Sequence, residues 1–288
     1  MPELPEVEVV KRSLRKVVSN LIIKKVIINS KKLRYKIDKK KFQRIINKKI
    51  TSIKRRSKYL LINLDTDITI LVHLGMTGKF FIRKNINEFY KTSFYYEMSR
   101  KHKKHDHVIF KFNKKTELIY NDVRKFGFIK IINTNEILNN VHLKLLGPEP
   151  LSEKFDLKYF NNYIHNKKKT IKDTLMDQKF VSGLGNIYVN EVLYLSKINP
   201  KKSVNKLNNK EINKIILFTK KTLKVSIQRG GSSIQNFSDS DGKSGTFQQN
   251  FNVYAREGMK CTKNKCKEII KKTNISNRST FFCKSCQK

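Results

Sequence analysis

A chain of 288 residues with 38% hydrophobic side chains and 18 Phe can bury a sizeable core and has room for two domains and an appendage. Lys and Arg number 63 against 23 Asp and Glu, a formal net charge of +40, which favours polyanions, nucleic acid before acidic membrane surfaces. No stretch approaches the roughly 20 apolar residues of a spanning helix, and MPELPEVEVVKRSL carries carboxylates where an export signal has basic charge. A membrane protein is excluded and a cytoplasmic location is expected. Lys, Asn and Ile recur throughout, so the charge names a partner class and no chemistry.

Leu4, Val7, Val10, Leu14 and Val17 recur at helical spacing, with Pro5 in the first turn, where its missing N–H costs nothing. Short β-rich runs follow from Leu21, Tyr59, Ile68, Lys79, His107, Glu117 and Gly127, separated by polar turns, which reads as a sandwich or barrel. The polar stretch 83–104 reads as a surface loop between strands. After the turn-rich LGPEPL, helices are expected around residues 155–165, 170–178, 186–196 and 210–229. A Gly- and Ser-rich segment at 229–247 reads as a mobile loop, and all four cysteines close the chain.

Four groups of residues could carry chemistry. Removal of Met1 would leave Pro2 with a terminal amine whose reference pKa lies about 2.5 units below that of lysine. Such a secondary amine can attack an acetal carbon and pass through an iminium, with Glu3 and Glu6 beside it as acid and cation stabiliser. The same residues serve equally well as an ordinary helix start. Cys261, Cys266, Cys283 and Cys286 form two pairs with 16 residues between Cys266 and Cys283, enough for a hairpin that brings four thiolates onto one structural zinc ion. Within that hairpin Arg278 could hold a phosphate. In GLGNIYVNE two glycines open a helix N-terminus to an anion, and Asn186 can donate to a phosphate. HLGM, KHDHV and NDVRKFG sit at strand ends. Met76, Arg124 and Phe126 suit insertion into a duplex that a nucleotide has left, although Met and Phe at such places also serve as core.

Taken in order, PELPEVE, RRSKYLL, HLGMTG, KHDHV, DVRKFG, LGPEPL, KKKTIKDTLMDQKFVSGLGNIY, SDGKSGTF and RSTFFCKSC closely resemble the bacterial formamidopyrimidine-DNA glycosylases. The resemblance spans the chain. It implies an α+β multidomain fold: an N-terminal β-sandwich with flanking helices (1–134), a helix–two-turn–helix domain (135–235), and a lesion-capping loop with a zinc finger (236–288). It implies a monomer that binds double-stranded DNA, with oxidised bases or abasic sites, in the cleft between domains, and that carries one structural Zn2+. The activity implied is excision of 8-oxoguanine and formamidopyrimidines followed by β- and δ-elimination. In that reading Pro2 attacks C1′, Glu3 helps open the sugar, Glu6 stabilises the cation, and Lys58 contacts DNA phosphate and supports catalysis. Arg278 and Asn186 match phosphate-binding positions, with Arg278 counted in the catalytic set. Lys125 and His105 add to the grip, and Met76, Arg124 and Phe126 match the void-filling set.

Some positions depart from the family pattern. Val123 stands where proline is usual and Lys125 where arginine is usual, which removes bidentate geometry. Ser244 and Thr246 replace a proline and an aromatic in the capping loop, and Cys261 and Cys266 are separated by four residues. Two other functions compete: an endonuclease VIII-like glycosylase for oxidised pyrimidines, and a non-catalytic nucleic-acid-binding zinc protein.

Overall fold

A computed structural model describes residues 2–85, 88–91, 103–232 and 251–288. They form two compact units, residues 2–144 with 229–232, and residues 145–228 with 251–288. The tail with the four cysteines thus shares a unit with the helices.

The first unit begins with α1 (Leu4–Val18), whose buried Leu4, Val7, Val10, Leu14 and Val18 form the apolar face that the heptad-like spacing requires. Glu3 is its N-cap, with Glu6 at the third helical position completing a capping box. Asn20, at φ +63°, turns the chain out of the helix. Two antiparallel sheets follow. One has the order β1 (Ile23–Ile28), β7 (Asp106–Phe112), β8 (Glu117–Asp122), β5 (Gly78–Asn85) and β6 (Glu88–Lys91). The other runs β2 (Ile50–Arg56), β3 (Tyr59–Leu64), β4 (Ile68–His73), β9 (Phe128–Asn133). A short α2 (Lys39–Gln43) contributes Phe42 to the core.

One apolar core joins the faces of both sheets and α1: Ile23, Phe80, Ile82, Val108 and Phe110 from the first, Ile53, Leu60, Ile62, Ile70 and Val72 from the second. β2 escaped the sequence pattern because only Ile50 and Ile53 of its seven residues are buried, among Lys54, Arg55 and Arg56. The stretch 83–104 starts as sheet, since β5 continues to Asn85 and pairs with β6. Residues 92–102 lie outside the described residues.

In the second unit α3 (Leu157–Ile164), α4 (Ile171–Met176), α5 (Asn186–Leu195) and α6 (Asn209–Gln228) enclose a second core. Asp156 and Thr170 cap α3 and α4 by accepting backbone N–H groups of Tyr159 and Asp173. α5 is buried from Ile187 to Tyr194 and packs against α4, α6 and the closing hairpin. That hairpin is β10 (Lys271–Ile275) and β11 (Arg278–Phe282), closed by Ser276 and Asn277, both at positive φ (45° and 59°), as a two-residue turn compatible with strand twist demands.

Candidate active site and nucleic-acid interface

Pro2 is buried immediately before α1. The Glu6 carboxylate, 2% exposed, fixes this end of the helix. Its Oε2 accepts the Glu3 N–H at 2.8 Å, and its Oε1 accepts the Ser232 N–H at 2.7 Å and the Ser232 hydroxyl at 3.0 Å. Gly231, at φ +88°, permits this approach: a Cβ there would lie 3.0 Å from Glu6 Oε1. Residues 233–250, with most of the expected capping loop including Ser244 and Thr246, lie outside the described residues.

Lys58 sits in the tight turn between β2 and β3, 7% exposed, behind Ser57 at φ +54°. This turn is tied to α1. Glu8 of α1 accepts Arg55 Nε at 2.9 Å, and Arg55 Nη1 donates to the Ser57 carbonyl at 2.9 Å. Glu8 also accepts Lys11 and Arg12, and against the cost of burial Lys11 and Arg55 hold its carboxyl below the usual range.

Met76, Arg124, Lys125 and Phe126 come together. They line one cavity of about 650 Å³ with Leu33, Arg34, His73 and Gly75. Met76 and Phe126 are 38% and 46% exposed, which a core role would not leave them. The Arg124 guanidinium lies 4.4 Å from the centre of the Phe126 ring. The two turns that carry these groups, β4–β5 and β8–β9, touch backbone to backbone: a Cβ on Gly75 would meet Gly127 N at 2.4 Å. Asp122, fully buried, knits them. Its carboxylate accepts Gly127 N–H at 2.8 Å, the Thr77 hydroxyl at 2.5 Å and the Tyr120 hydroxyl at 3.3 Å, while Thr77 Oγ1 accepts the Arg124 N–H at 3.0 Å. Lys125 holds φ +56° at the tip, and the non-family Val123 is 48% exposed beside it.

His73, quoted within HLGM but not singled out from the sequence, belongs to this surface. Registration places Tyr59, His73 and Phe128 side by side across β3, β4 and β9, and the His73 ring stacks on Phe128 at 5.7 Å. Its Nδ1 accepts the Gly75 N–H at 3.1 Å, so the neutral ring carries its proton on Nε2 as a donor. Burial, followed by the charges of Lys58, Arg34 and His142, pushes its pKa down to about 4. His105 is not among the cavity-lining residues. It ends a short turn before β7, with its ring 6.3 Å from that of His107. His107 is structural, with ring nitrogens 2.7 Å from Ser30 Oγ and 2.8 Å from the Asp122 carbonyl.

In the second unit Asn186 opens α5 and Arg278 stands exposed at the start of β11. The Ser279 carbonyl, next to Arg278, accepts Asn186 Nδ2 at 2.9 Å and Lys172 Nζ at 3.0 Å. Asn190 Oδ1 accepts the Phe281 N–H at 2.8 Å. The N-terminal residue of α5 is therefore tied to the residue that follows the exposed Arg278, an arrangement that suits a phosphate. Lys172, 1% exposed, also donates to Thr280 Oγ1 at 2.5 Å. Burial lowers its pKa to about 8; Asp173 opposes that fall and Arg278 adds to it. No sequence signal distinguishes this lysine from its many surface neighbours.

Cys261, Cys266, Cys283 and Cys286 converge with all sulfur atoms within 4.8 Å of one another. Sulfur pairs lie 3.6, 3.8 and 3.9 Å apart, against about 3.8 Å for the edge of a tetrahedron of thiolates at the zinc–sulfur bond length. The cluster can hold a metal ion, and the four-residue spacer does not prevent it. Among the described residues no helix is long and apolar enough to cross a membrane.

Exposed apolar and cationic side chains around one cavity, and a helix N-terminus next to an exposed arginine at another place, are surfaces of the kind a nucleic-acid-binding protein carries. Residues 1–129 match the formamidopyrimidine-DNA glycosylase N-terminal domain and residues 146–238 match the H2TH domain of the same enzymes. Formamidopyrimidine-DNA glycosylase of Rickettsia bellii is 43% identical over 288 residues, covering all of both chains, and that of Rickettsia massiliae is 39% identical over 287, covering all of this chain and 97% of the other. Among solved structures, a Lactococcus lactis variant complexed with Fapy-dG-containing DNA is 35% identical with a TM-score of 0.86, over all of both chains. The Lactococcus lactis enzyme complexed with abasic-site DNA is 36% identical with a TM-score of 0.85, over 99% of each. The chain belongs to the formamidopyrimidine-DNA glycosylase family.

Proposed function

We propose that this chain is a bifunctional glycosylase and lyase that excises oxidised purines from double-stranded DNA, with Pro2 as nucleophile once Met1 is removed. The observation that carries this reading is the capture of the helix start by Glu6, a buried carboxyl whose Oε2 accepts the N–H of Glu3, the residue that follows Pro2. The Pro2 amine attacks C1′, the C1′–base bond breaks, and the base leaves with a proton. Glu3 assists opening of the sugar at its ring oxygen, and the resulting iminium is the cation that the Glu6 charge stabilises. Loss of the 3′ and then the 5′ phosphate follows by β- and δ-elimination.

Lys58 and Arg278 complete the catalytic set as phosphate-holding cations, and Asn186, Lys125 and His105 bind the backbone. Met76, Arg124 and Phe126 fill the space left by the everted nucleotide, which supports excision by holding the duplex open. His73 joins them, its neutral ring offering Nε2–H to a phosphate oxygen. Zinc is the metal that the four thiolates fit, and it holds the hairpin of Arg278 in shape. Functionally the chain divides into a catalytic sandwich (1–134), a helix–two-turn–helix region (135–235) and a capping loop with finger (236–288), acting as a cytoplasmic monomer.

Excision of 8-oxoguanine opposite cytosine, compared with excision of thymine glycol in the same duplex, tests the assignment. Preference for 8-oxoguanine is expected. Preference for thymine glycol would transfer the chain to the endonuclease VIII-like reading, and loss of neither base would leave only a nucleic-acid-binding role.

A further inference from the structure

We infer that the Tyr194 hydroxyl donates a hydrogen bond to the Cys261 thiolate and thereby stabilises the metal-bound form of the four-cysteine site. The inference rests on that site holding zinc. Tyr194 Oη lies 3.2 Å from Cys261 Sγ and 3.0 Å from Thr262 Oγ1. Which atom donates follows from counting protons along the network. Glu191 is an acceptor, and it takes the Asn252 N–H and the Asn252 Nδ2 at 2.9 Å each. The Asn252 amide is thereby oriented, with Oδ1 facing Thr262. The single Thr262 hydroxyl proton is drawn to that oxygen at 2.9 Å.

Thr262 consequently has no proton left to give Tyr194, and a metal-bound thiolate has none either. The Tyr194 proton must therefore be the donated one. Between a neutral hydroxyl oxygen and a charged sulfur the charge-assisted bond prevails. Tyr194, Val253, Cys261, Ile270, Phe281 and Cys283 form one buried apolar cluster, where the bond is stronger than it would be in water. Cys261 also receives the Lys263 N–H, so its sulfur is held by a backbone donor and a side-chain donor. Because Tyr194 lies at the C-terminal end of α5 and Asn186 opens the same helix, the bond fastens the metal site to the helix that presents the phosphate-binding end. Groups of this kind orient metal ligands and tune their charge.

The test uses the full chain and its Tyr194→Phe variant, which keeps the ring and removes only the hydroxyl. Zinc content is measured first, then zinc release to a chromophoric chelator, then the sulfur-to-cobalt charge-transfer band after cobalt(II) replacement. One zinc per chain in both proteins is expected, with release about tenfold faster in the variant. The cobalt band should move to longer wavelength, because a thiolate that loses a donor gives up its electrons more readily. Unchanged release and an unchanged band with zinc present would overturn the inference alone. Absence of zinc from the wild-type chain would overturn the metal reading and this inference with it. Thr262→Val supplies an independent check. If the Tyr194 proton already rests on sulfur, its cobalt band stays where the wild-type band lies; a move to shorter wavelength would show that the proton had been on Thr262, and the inference fails.

Discussion

Replacing Asp122 should damage base excision more than it damages strand cleavage at a preformed abasic site. This carboxylate is fully buried and accepts from Gly127 N–H, Thr77 Oγ1 and Tyr120 Oη. Hydrogen bonds to a charged group contribute roughly 1.5–3 kcal/mol each, and a buried N–H left without a partner costs about 1–3 kcal/mol. Asp122→Asn can keep the Gly127 and Tyr120 bonds on its carbonyl and turns its amide toward Thr77, so it forfeits about one charged bond, roughly 2 kcal/mol. Asp122→Ala forfeits all of them and strands the Gly127 N–H, roughly 6 kcal/mol or more. For a protein of this size that corresponds to a Tm about 4–8 °C lower for Asn and about 12–24 °C lower for Ala. Below those temperatures both turns remain folded but lose their mutual register, and with it the placement of Met76, Arg124 and Phe126. An intact damaged nucleotide must still be unstacked and everted, whereas an abasic residue has no base to extract. Single-turnover assays on an 8-oxoguanine duplex and on an abasic duplex, each well below the variant's Tm, separate the two effects. Equal losses on both substrates, or an Asn variant as unstable as the Ala variant, would refute the reasoning.

Further outcomes follow from other parts of the molecule. Lys172→Met keeps the buried volume but removes the donors to Ser279 O and Thr280 Oγ1; DNA affinity should fall about tenfold or more, with the slope of log K against log salt nearly unchanged because Lys172 itself touches no phosphate. The folded pKa of His73 is depressed to about 4 from 6.5, so the folded state resists a proton that the unfolded chain accepts. Stability from this group is complete above about pH 6.5 and falls as pH drops toward 4, by an amount of the order of 3 kcal/mol. Urea midpoints across that window should decline less steeply in His73→Phe, and parallel slopes would contradict the assignment. Cys283→Ser should lose the metal, measured by elemental analysis, and weaken DNA binding through the Arg278 hairpin; full binding would make the finger dispensable.

Much of the fold was legible because its signals are local. Leu4, Val7, Val10 and Leu14 announce α1, and the apolar runs from Tyr59 and Ile68 announce the central strands. The paired cysteines announce their own convergence. β2 was hidden by its basic residues, and the strand character of 83–85 and 88–91 by a composition that the pairing of β5 with β6 overrides. At the site, the residue types of Met76, Arg124 and Phe126 suggested insertion into a duplex, and the three line one cavity. What holds them was not legible. Asp122 works through Thr77, 45 residues away, Lys172 through Ser279, 107 residues away, and Glu6 through Ser232, 226 residues away. A single sequence gives no sign of such pairings, and in a chain so rich in lysine the one buried at the hairpin looks like all the others.

The central claim, that the N-terminal proline amine is the nucleophile, is tested most directly by borohydride trapping on an 8-oxoguanine duplex followed by mass mapping of the adduct. The expected result is a single reduced adduct on the peptide beginning at Pro2, from protein whose intact mass lacks Met1, and its loss when Met1 is retained. An adduct on a lysine peptide such as that of Lys58, or undiminished trapping by protein that keeps Met1, would contradict the account.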